Sequence, residues 1–174
     1  MATASTTTRP ATGKQQFLDT FEREHQTTMR VLRAYPTDKL DLKPHSLCKS
    51  AKELAWMFAM EQHLAQTVIT TGLDLSKPMT PPPVPESWDA VLAAFDAGHR
   101  EVVRTVEQMT AEQLAETTKF FVAPKTMGDV PKIDMLWMLL HDQIHHRGQF
   151  SIYLRMAGGK VPSIYGPTAD EPWN

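Results

Sequence analysis

The segment from Met135 to Arg155 is the part of this sequence that most constrains the fold. Read as a helix, it carries His141 and His145 four residues apart, and side chains at that spacing lie on one face, one above the other. Its apolar residues recur at helical spacing, at Ile133, Leu136, Leu140, Ile144 and Ile152. We therefore predict a helix with a buried stripe, and two histidines on the margin of that stripe that face an interior or a cleft.

Three other long segments show the same periodicity, at residues 14–34, 50–71 and 86–109. Pro36 stops the first segment, Ser50 and Glu53 begin the second with a capping-box pattern, and Gly72 ends it. The run from Lys77 to Pro85 contains five prolines, so it is neither helix nor central strand and predicts a rigid crossover.

A short helical turn at residues 111–114 and a brief extended piece at residues 119–123 precede the fourth long helix. That helix begins at Pro131 and ends at Gly158 and Gly159. With four long amphipathic helices and no convincing sheet, the pattern predicts an all-α four-helix bundle with a packed, irregular C-terminal tail. Residues 1–13 are small and polar and predict a disordered tail, and residues 14–174 form one domain.

The composition argues against several classes of protein. A net charge of −2 gives no basic surface to hold nucleic acid. No apolar run approaches the roughly 20 residues of a spanning helix, and no N-terminal signal is present. The single Cys48 cannot form an internal disulfide. We expect a cytoplasmic protein with no nucleic-acid partner and no membrane partner.

Glu61 is the second chemical feature of the sequence. It lies in the apolar stripe of the second helix, among Leu54, Met57, Leu64 and Val68. An ionised carboxylate is costly in such surroundings unless it has a partner, and a metal ion or a histidine would be one. Two imidazoles do not make a catalytic metal site, which needs three protein ligands and an open position, so the source of a third ligand is the central question.

Four motifs occur together along the chain. They are H-D-Q-I-H-H-R-G-Q-F (141–150), Y-L-R-M-A-G-G-K-V-P-S-I-Y-G-P-T-A-D (153–170), D-L-K-P-H (41–45) and S-A-K-E-L-A-W (50–56). This set resembles the DinB/YfiT-like family of metal-dependent enzymes, and the likeness runs from Phe17 to the C-terminus. The resemblance implies an up-up-down-down-like four-helix bundle, a homodimer, and a divalent metal (Zn, Ni, Fe or Mn) held by three histidines near one end. Two of those would be His141 and His145.

The third ligand is where the chain departs from the family pattern. The helix-two histidine of the family falls on Met57, and a thioether is a poor ligand for these metals beside imidazoles. Glu61, one turn further on the same face, would complete a site of two histidines and one carboxylate. His63 offers better ligand chemistry but points about 240° around the helix from position 57 at 100° per residue, so we prefer Glu61 on geometry.

Ordinary structural roles compete with each of these interpretations. The histidine pair is equally consistent with buried imidazoles that bond to Glu61 or to water. His146 points about 100° away from the pair, as an outer-sphere or surface group. Arg147 is a helix-to-tail salt bridge or a substrate clamp. His25, His45 and His99 have no partner by spacing and indicate surface positions or ordinary polar packing.

Two functional hypotheses follow. In the first, the protein is a metal-dependent hydrolase, or a transferase or isomerase that uses a low-molecular-weight thiol, and acts on a small-molecule substrate. His141 and His145 are then metal ligands, and Glu61 is a ligand or the general base. In the second, motivated by Met57, the protein is a metal-free, non-catalytic, stress-associated dimer that binds a small apolar ligand. The sequence specifies neither the substrate nor the reaction.

Overall fold

The structure is a computed structural model that describes residues 12–73 and 82–173. The predicted disordered tail, residues 1–13, is wrong at its end, where Thr12 caps the first helix and Gly13 begins it. Residues 1–11 of that tail, and residues 77–81 of the predicted crossover, lie outside the described residues. Residues 82–85, the remainder of the crossover, are neither helix nor strand, as the prolines predict.

Helices account for most of the described residues. They are α1 (Gly13–Arg33), α2 (Ala51–Thr70), α3 (Trp88–Gln108), the short α4 (Ala111–Ala115) and α5 (Lys132–Met156), with a 3-10 turn at Thr37–Lys39. The capping residues that the sequence analysis identified lie at the ends of α2. The Ser50 hydroxyl accepts a hydrogen bond from the Glu53 amide while the Glu53 carboxylate accepts one from the Ser50 amide, and Gly72 adopts a left-handed φ of 74° after α2.

The four long helices form a ring in the order α1, α3, α2, α5, because α2 packs against α3 and α5 while α1 packs against the same two. Two apolar clusters fill the centre of this ring. One is built around Phe58, Phe95 and Phe150, and the other around Phe17 and Leu140. The predicted all-α bundle is confirmed, and no helix of the described residues combines the length and apolarity needed to cross a membrane.

A small β-hairpin is the element that the sequence prediction missed. Strand β1 (Thr117–Ala123) pairs antiparallel with β2 (Thr126–Pro131), so the extended piece was predicted but its partner was not. The second strand reads T-M-G-D-V-P, in which Gly128 and Pro131 hide any alternation of apolar and polar residues. Cross-strand contacts, such as the 2.7 Å ion pair of Lys119 with Asp129, appear only once the strands are paired.

The buried face of α5 differs from the predicted apolar stripe. Ile152 of that stripe is 59 % exposed, whereas the polar residues Gln143 and Arg147 are buried. Gln143 accepts a hydrogen bond from Gln62 of α2 at 3.2 Å. Because buried polar groups carry no apolar signal, the stripe alone set the wrong rotation for this helix.

Arg147 is the most buried charge of the bundle, with 1 % of its surface exposed. Its Nη2 lies 2.7 Å from Glu24 Oε2 of α1 and donates to the Tyr165 hydroxyl at 2.6 Å, and that hydroxyl donates in turn to Glu24. Nη1 donates to the Glu24 carbonyl and to Thr28 Oγ1. Arg147 forms a salt bridge, but to Glu24 of α1 rather than to the tail, and it reaches the tail through its hydrogen bond to the Tyr165 hydroxyl.

A second buried polar cluster lies between α1 and α3. The rings of His25 and His99 stack with centroids 3.9 Å apart and planes at 8°. Each ring reaches a carboxylate of the opposite helix: His25 lies 3.1 Å from Asp96, and His99 lies 2.7 Å from Glu22. Of the two sequence interpretations, ordinary polar packing describes His25 and His99, and their partners could not be found from spacing because they come from another helix. Burial and the neighbouring His99 lower the pKa of His25 to about 4, and burial also lowers the pKa of His99.

The Arg147 network leads to a stability prediction. Arg147→Met should lower the free energy of unfolding by about 3–5 kcal/mol, because it removes the buried countercharge of the Glu24 carboxylate and leaves only the exposed Arg23 at 3.6 Å. Urea denaturation followed by circular dichroism measures this loss. Arg155→Met on the same helix is the matched control: its pair with Asp170 is partly exposed and should contribute about 0–1 kcal/mol. Equal losses in the two variants would contradict the assignment.

The stacked histidines lead to a prediction about pH. The pKa of His25 is about 4 in the folded protein and 6.5 in the unfolded chain. Between pH 6.5 and about pH 4 the unfolded chain therefore binds a proton at His25 that the folded protein does not bind, so the free energy of unfolding falls as the pH falls. The loss attributable to His25 reaches about 3 kcal/mol once it is fully titrated. In denaturation series at several pH values, His25→Gln should flatten this slope. His45→Gln, at an exposed position, should leave it unchanged, and an unaltered slope in both variants would refute the prediction.

Candidate metal centre

Glu61 and His146 meet where α2 packs against α5. Glu61 lies on the inward face of α2 and is only 4 % exposed, and its Oε1 is 2.6 Å from Nδ1 of the half-buried His146. The ring of His146 also stands edge-on to Phe58, with centroids 6.3 Å apart. The partner that the apolar surroundings of Glu61 demand is therefore a histidine, as the sequence suggests, but it is His146.

Asp142 completes a group of three. It lies one turn before His146 on α5, so both side chains project from the same side of that helix. Ligand atoms of Glu61, Asp142 and His146 lie within 4.8 Å of one another, and within the described residues this is the one cluster of three or more histidine, cysteine or acidic side chains with that property. Glu61 is buried, His146 half-buried and Asp142 exposed, so the group extends from the core to the surface.

The electrostatics of the group favour a shared proton in the absence of a cation. Burial raises the pKa of Glu61 to about 7, against the opposing effect of the bond to His146, and the charge of Asp142 raises it further. The bond to Glu61 raises the pKa of His146 above its ordinary value, although burial opposes this. Both shifts oppose the loss of the last proton from the pair, because that would leave a carboxylate in an apolar environment without a positive partner.

The donor set fits a divalent metal ion. Oε2 of Glu61 is buried and has no hydrogen-bond partner among the described residues, so one acceptor of the group is left unsatisfied. One imidazole nitrogen and two carboxylates are ligands suited to Mn²⁺, Fe²⁺ or Zn²⁺. The exposed end at Asp142 leaves room for water or a substrate to approach the group.

His141 and His145 lie elsewhere on α5. Both are exposed, so the expectation that they face an interior or a cleft is wrong. Nε2 of His145 lies 2.8 Å from the side-chain nitrogen of Gln149, and the ring of His141 lies beside Trp137, with centroids 6.0 Å apart. The structure does not bring this pair into the group around Glu61. It rotates α5 so that the residues immediately following each of them, Asp142 and His146, face α2.

The other predicted candidates divide according to their position on α2. Met57 is half-buried one turn before Glu61, and His63 is exposed. The sequence interpretation missed Asp142 and His146 as candidate ligands. The signal for them was nevertheless present, because D-x-x-x-H has the same four-residue spacing as the histidine pair and is displaced from it by one residue.

A cavity of about 460 Å³ lies beside Met57. Its walls include Cys48, Lys49, Trp56, Met57 and Met60. Met57 lines this cavity one helical turn before Glu61, whereas Glu61, Asp142 and His146 are not among its lining residues.

Comparison with known proteins shows to which protein family this chain belongs. A sequence model of the DinB family matches residues 4–173. The chain belongs to the DinB family. It is 28 % identical over 158 residues to the uncharacterized protein YrdA of Bacillus subtilis strain 168, and the aligned region covers 89 % of each chain.

Solved structures of the DinB type share the fold. A DinB-like protein of Bacillus cereus ATCC 10987 superposes with a TM-score of 0.69 at 23 % identity, over 86 % of this chain and 95 % of that one. A DinB-like protein of Bacillus subtilis, YjoA, gives a TM-score of 0.67 at 22 % identity, over 86 % and 96 %. At these identities the likeness establishes the fold of this DinB chain only, and any chemistry has to be argued from the residues of the chain itself.

The contact between Glu61 and His146 can be tested without metal. Glu61→Gln should lower the pKa of His146, because the carboxylate that raises it is gone. An NMR titration of the imidazole signals in EDTA measures this change. His63→Gln, on the same helix but exposed, should leave the titration of His146 as it is. A His146 titration that does not move in Glu61→Gln would show that the two side chains are not in contact.

Proposed function

We propose that this DinB protein is a divalent-metal-dependent enzyme of the cytoplasm that acts on a small molecule, as a hydrolase or as a thiol-dependent transferase or isomerase. Glu61, Asp142 and His146 would hold the metal ion. The observation that carries the proposal is the grouping of ligand atoms from Glu61, Asp142 and His146 within 4.8 Å of one another, together with a buried Glu61 oxygen that has no hydrogen-bond partner among the described residues.

The three side chains have different tasks in this proposal. A bound divalent metal supplies Lewis acidity, which lowers the pKa of a coordinated water or thiol. Asp142, at the exposed end, leaves the approach open, and His146 is oriented by the packing of its ring against Phe58. Oε1 of Glu61 is bonded to His146, so Oε2 is the oxygen that would either bind the metal or accept a proton from the nucleophile.

The cavity beside Met57 suggests the kind of substrate. Trp56, Met57 and Met60 give it an apolar wall, and methionine side chains adapt to irregular shapes. Lys49 and Cys48 supply polar atoms at its edge. A small molecule with an apolar portion and a polar group fits this lining, because the apolar portion is removed from water while Lys49 and Glu53 offer charged groups of both signs.

One observation favours a non-catalytic alternative. Glu61 and His146 already bond to each other at 2.6 Å, so the buried carboxylate has a partner without a metal. In that case the protein is a metal-free DinB dimer associated with stress, and the cavity beside Met57 holds a small apolar ligand.

The proposal predicts the metal content of purified protein and its variants. The group of Glu61, Asp142 and His146 in wild type should bind about one equivalent of Mn²⁺, Fe²⁺ or Zn²⁺ tightly, and Asp142→Asn and Glu61→Gln should each lose that equivalent, because a site with two ligands is too weak. Elemental analysis after gel filtration gives the stoichiometry. Asp134→Asn, another exposed aspartate of α5, is the matched control and should retain the metal.

His141→Ala separates the two possible ligand sets. Retention of the tightly bound equivalent in His141→Ala supports the group around Asp142, while its loss there with retention in Asp142→Asn would assign the site to the histidine pair instead. A thermal-shift series tests the alternative function: indifference of wild type to both metals and EDTA favours the metal-free protein. Met57→His should strengthen metal binding if position 57 faces the same ion.

A further inference from the structure

The histidine pair that the metal centre leaves out lies on an unusual face of α5. At 100° per residue, six exposed residues fall within about 80° of one another on the side opposite the core. They are Met138, His141, His145, Gln149, Ile152 and Met156. This face extends about 27 Å along the helix at 1.5 Å per residue and carries no charged side chain between its two ends. We call it the outer stripe.

The outer stripe has apolar side chains at both ends and two histidines, which are potential metal ligands, in its middle. Met138, Ile152 and Met156 are 40 %, 59 % and 53 % exposed. Between them, His141 and His145 present two imidazoles one turn apart, which is the spacing at which two rings reach the same ion. The carboxamide of Gln149, the nearest partner of His145, is uncharged and exposed, so it can turn aside without leaving a buried polar group unsatisfied.

We propose that His141 and His145 bind a transition-metal ion that two copies of this chain share, with four imidazoles around it. Two ligands leave a tetrahedral ion half coordinated. The described residues of the same chain offer no further histidine, cysteine or carboxylate that completes a group of three with the pair. A second copy related by a two-fold axis supplies the missing two ligands from the same two residues, because such an interface uses one surface patch twice.

The geometry of the stripe suits that arrangement. An antiparallel pair of α5 helices with its axis midway between His141 and His145 places position 138 of one copy opposite position 148 of the other. Position 148 is a glycine, and nothing lies within 4 Å of the place where its Cβ would sit. The side chain of Met138 can therefore lie over Gly148 of the second copy, so that both helices approach closely around the ion.

Imidazole ligands select the metal. Four neutral nitrogen donors suit Zn²⁺, Ni²⁺ or Cu²⁺ and disfavour Mg²⁺ or Ca²⁺, which prefer oxygen. This site is separate from the group of Glu61, Asp142 and His146, which faces α2, and it does not depend on the function proposed for that group.

The experiment measures the oligomeric state with zinc as the probe. Protein stripped with EDTA and then exchanged into buffer is analysed by size-exclusion chromatography with light scattering, with and without ZnCl₂. The Glu61→Gln background removes the contribution of the inner group. We expect monomers without zinc, dimers with it, and half an equivalent of zinc per chain in the dimer.

Matched variants identify the ligands and the geometry. His141→Ala and His145→Ala should abolish the zinc-dependent dimer, whereas His63→Ala, at an exposed histidine of α2, should retain it. Gly148→Glu keeps both ligands and favours the helix, yet it should also weaken the dimer because a side chain fills the space opposite Met138. The proposal is overturned if zinc binds to the pair in monomers, if dimers persist in EDTA, or if His145→Ala still dimerises with zinc.

Discussion

The buried contact of Arg147 with Glu24 is the interaction on which the geometry of the bundle depends. It joins two helices that are far apart in sequence, and Tyr165 brings the C-terminal tail to the same point. A guanidinium so deeply buried is tolerated only when its donors are satisfied, and here a carboxylate, a carbonyl and two hydroxyl oxygens accept them. Because that geometry is demanding, it fixes α5 in one rotation and at one height relative to α1.

The rotation of α5 decides what each neighbouring residue can do. With Arg147 turned to the core, His146 lies on the margin toward α2, and Asp142 lies one turn before it on the same side. His145 and His141 then face solvent, one residue and therefore about 100° away. The run H-D-Q-I-H-H contains two pairs at four-residue spacing, His141 with His145 and Asp142 with His146. The pairs differ by one position along the helix, and this rotation of about 100° places the second pair at the interface with α2 and the first at the surface.

The sequence predicted the architecture well, and the candidate site only in part, for one physical reason. Periodic apolar residues, the capping box of Ser50 and the glycine after α2 are local signals, so the four long helices and their order in the chain followed from them. Glu61 was also predicted to need a partner. Which residue meets it depends on the phase of α5, and that phase is set by the buried Gln143 and Arg147, whose polar side chains look like surface residues in a sequence. The hairpin was missed likewise, because β2 is stabilised by pairing with β1 rather than by its own pattern.

Glu61 differs from the buried pair of Arg147 and Glu24 in how far its polar atoms are satisfied. Arg147 and Glu24 satisfy one another in several directions, whereas Glu61 bonds to His146 through one oxygen and leaves the other buried without a partner among the described residues. An unsatisfied buried acceptor costs about 1–3 kcal/mol, and an apolar side chain at position 61 would pack among the same neighbours without that cost. A cation shared with Asp142 would satisfy the remaining oxygen and favour the ionised carboxylate, since opposite charge at that distance offsets the desolvation that raises the pKa of Glu61. The same physical argument gives no comparable cost at His141 or His145, because solvent satisfies an exposed imidazole, so only a second copy of the chain would turn that pair into a closed site.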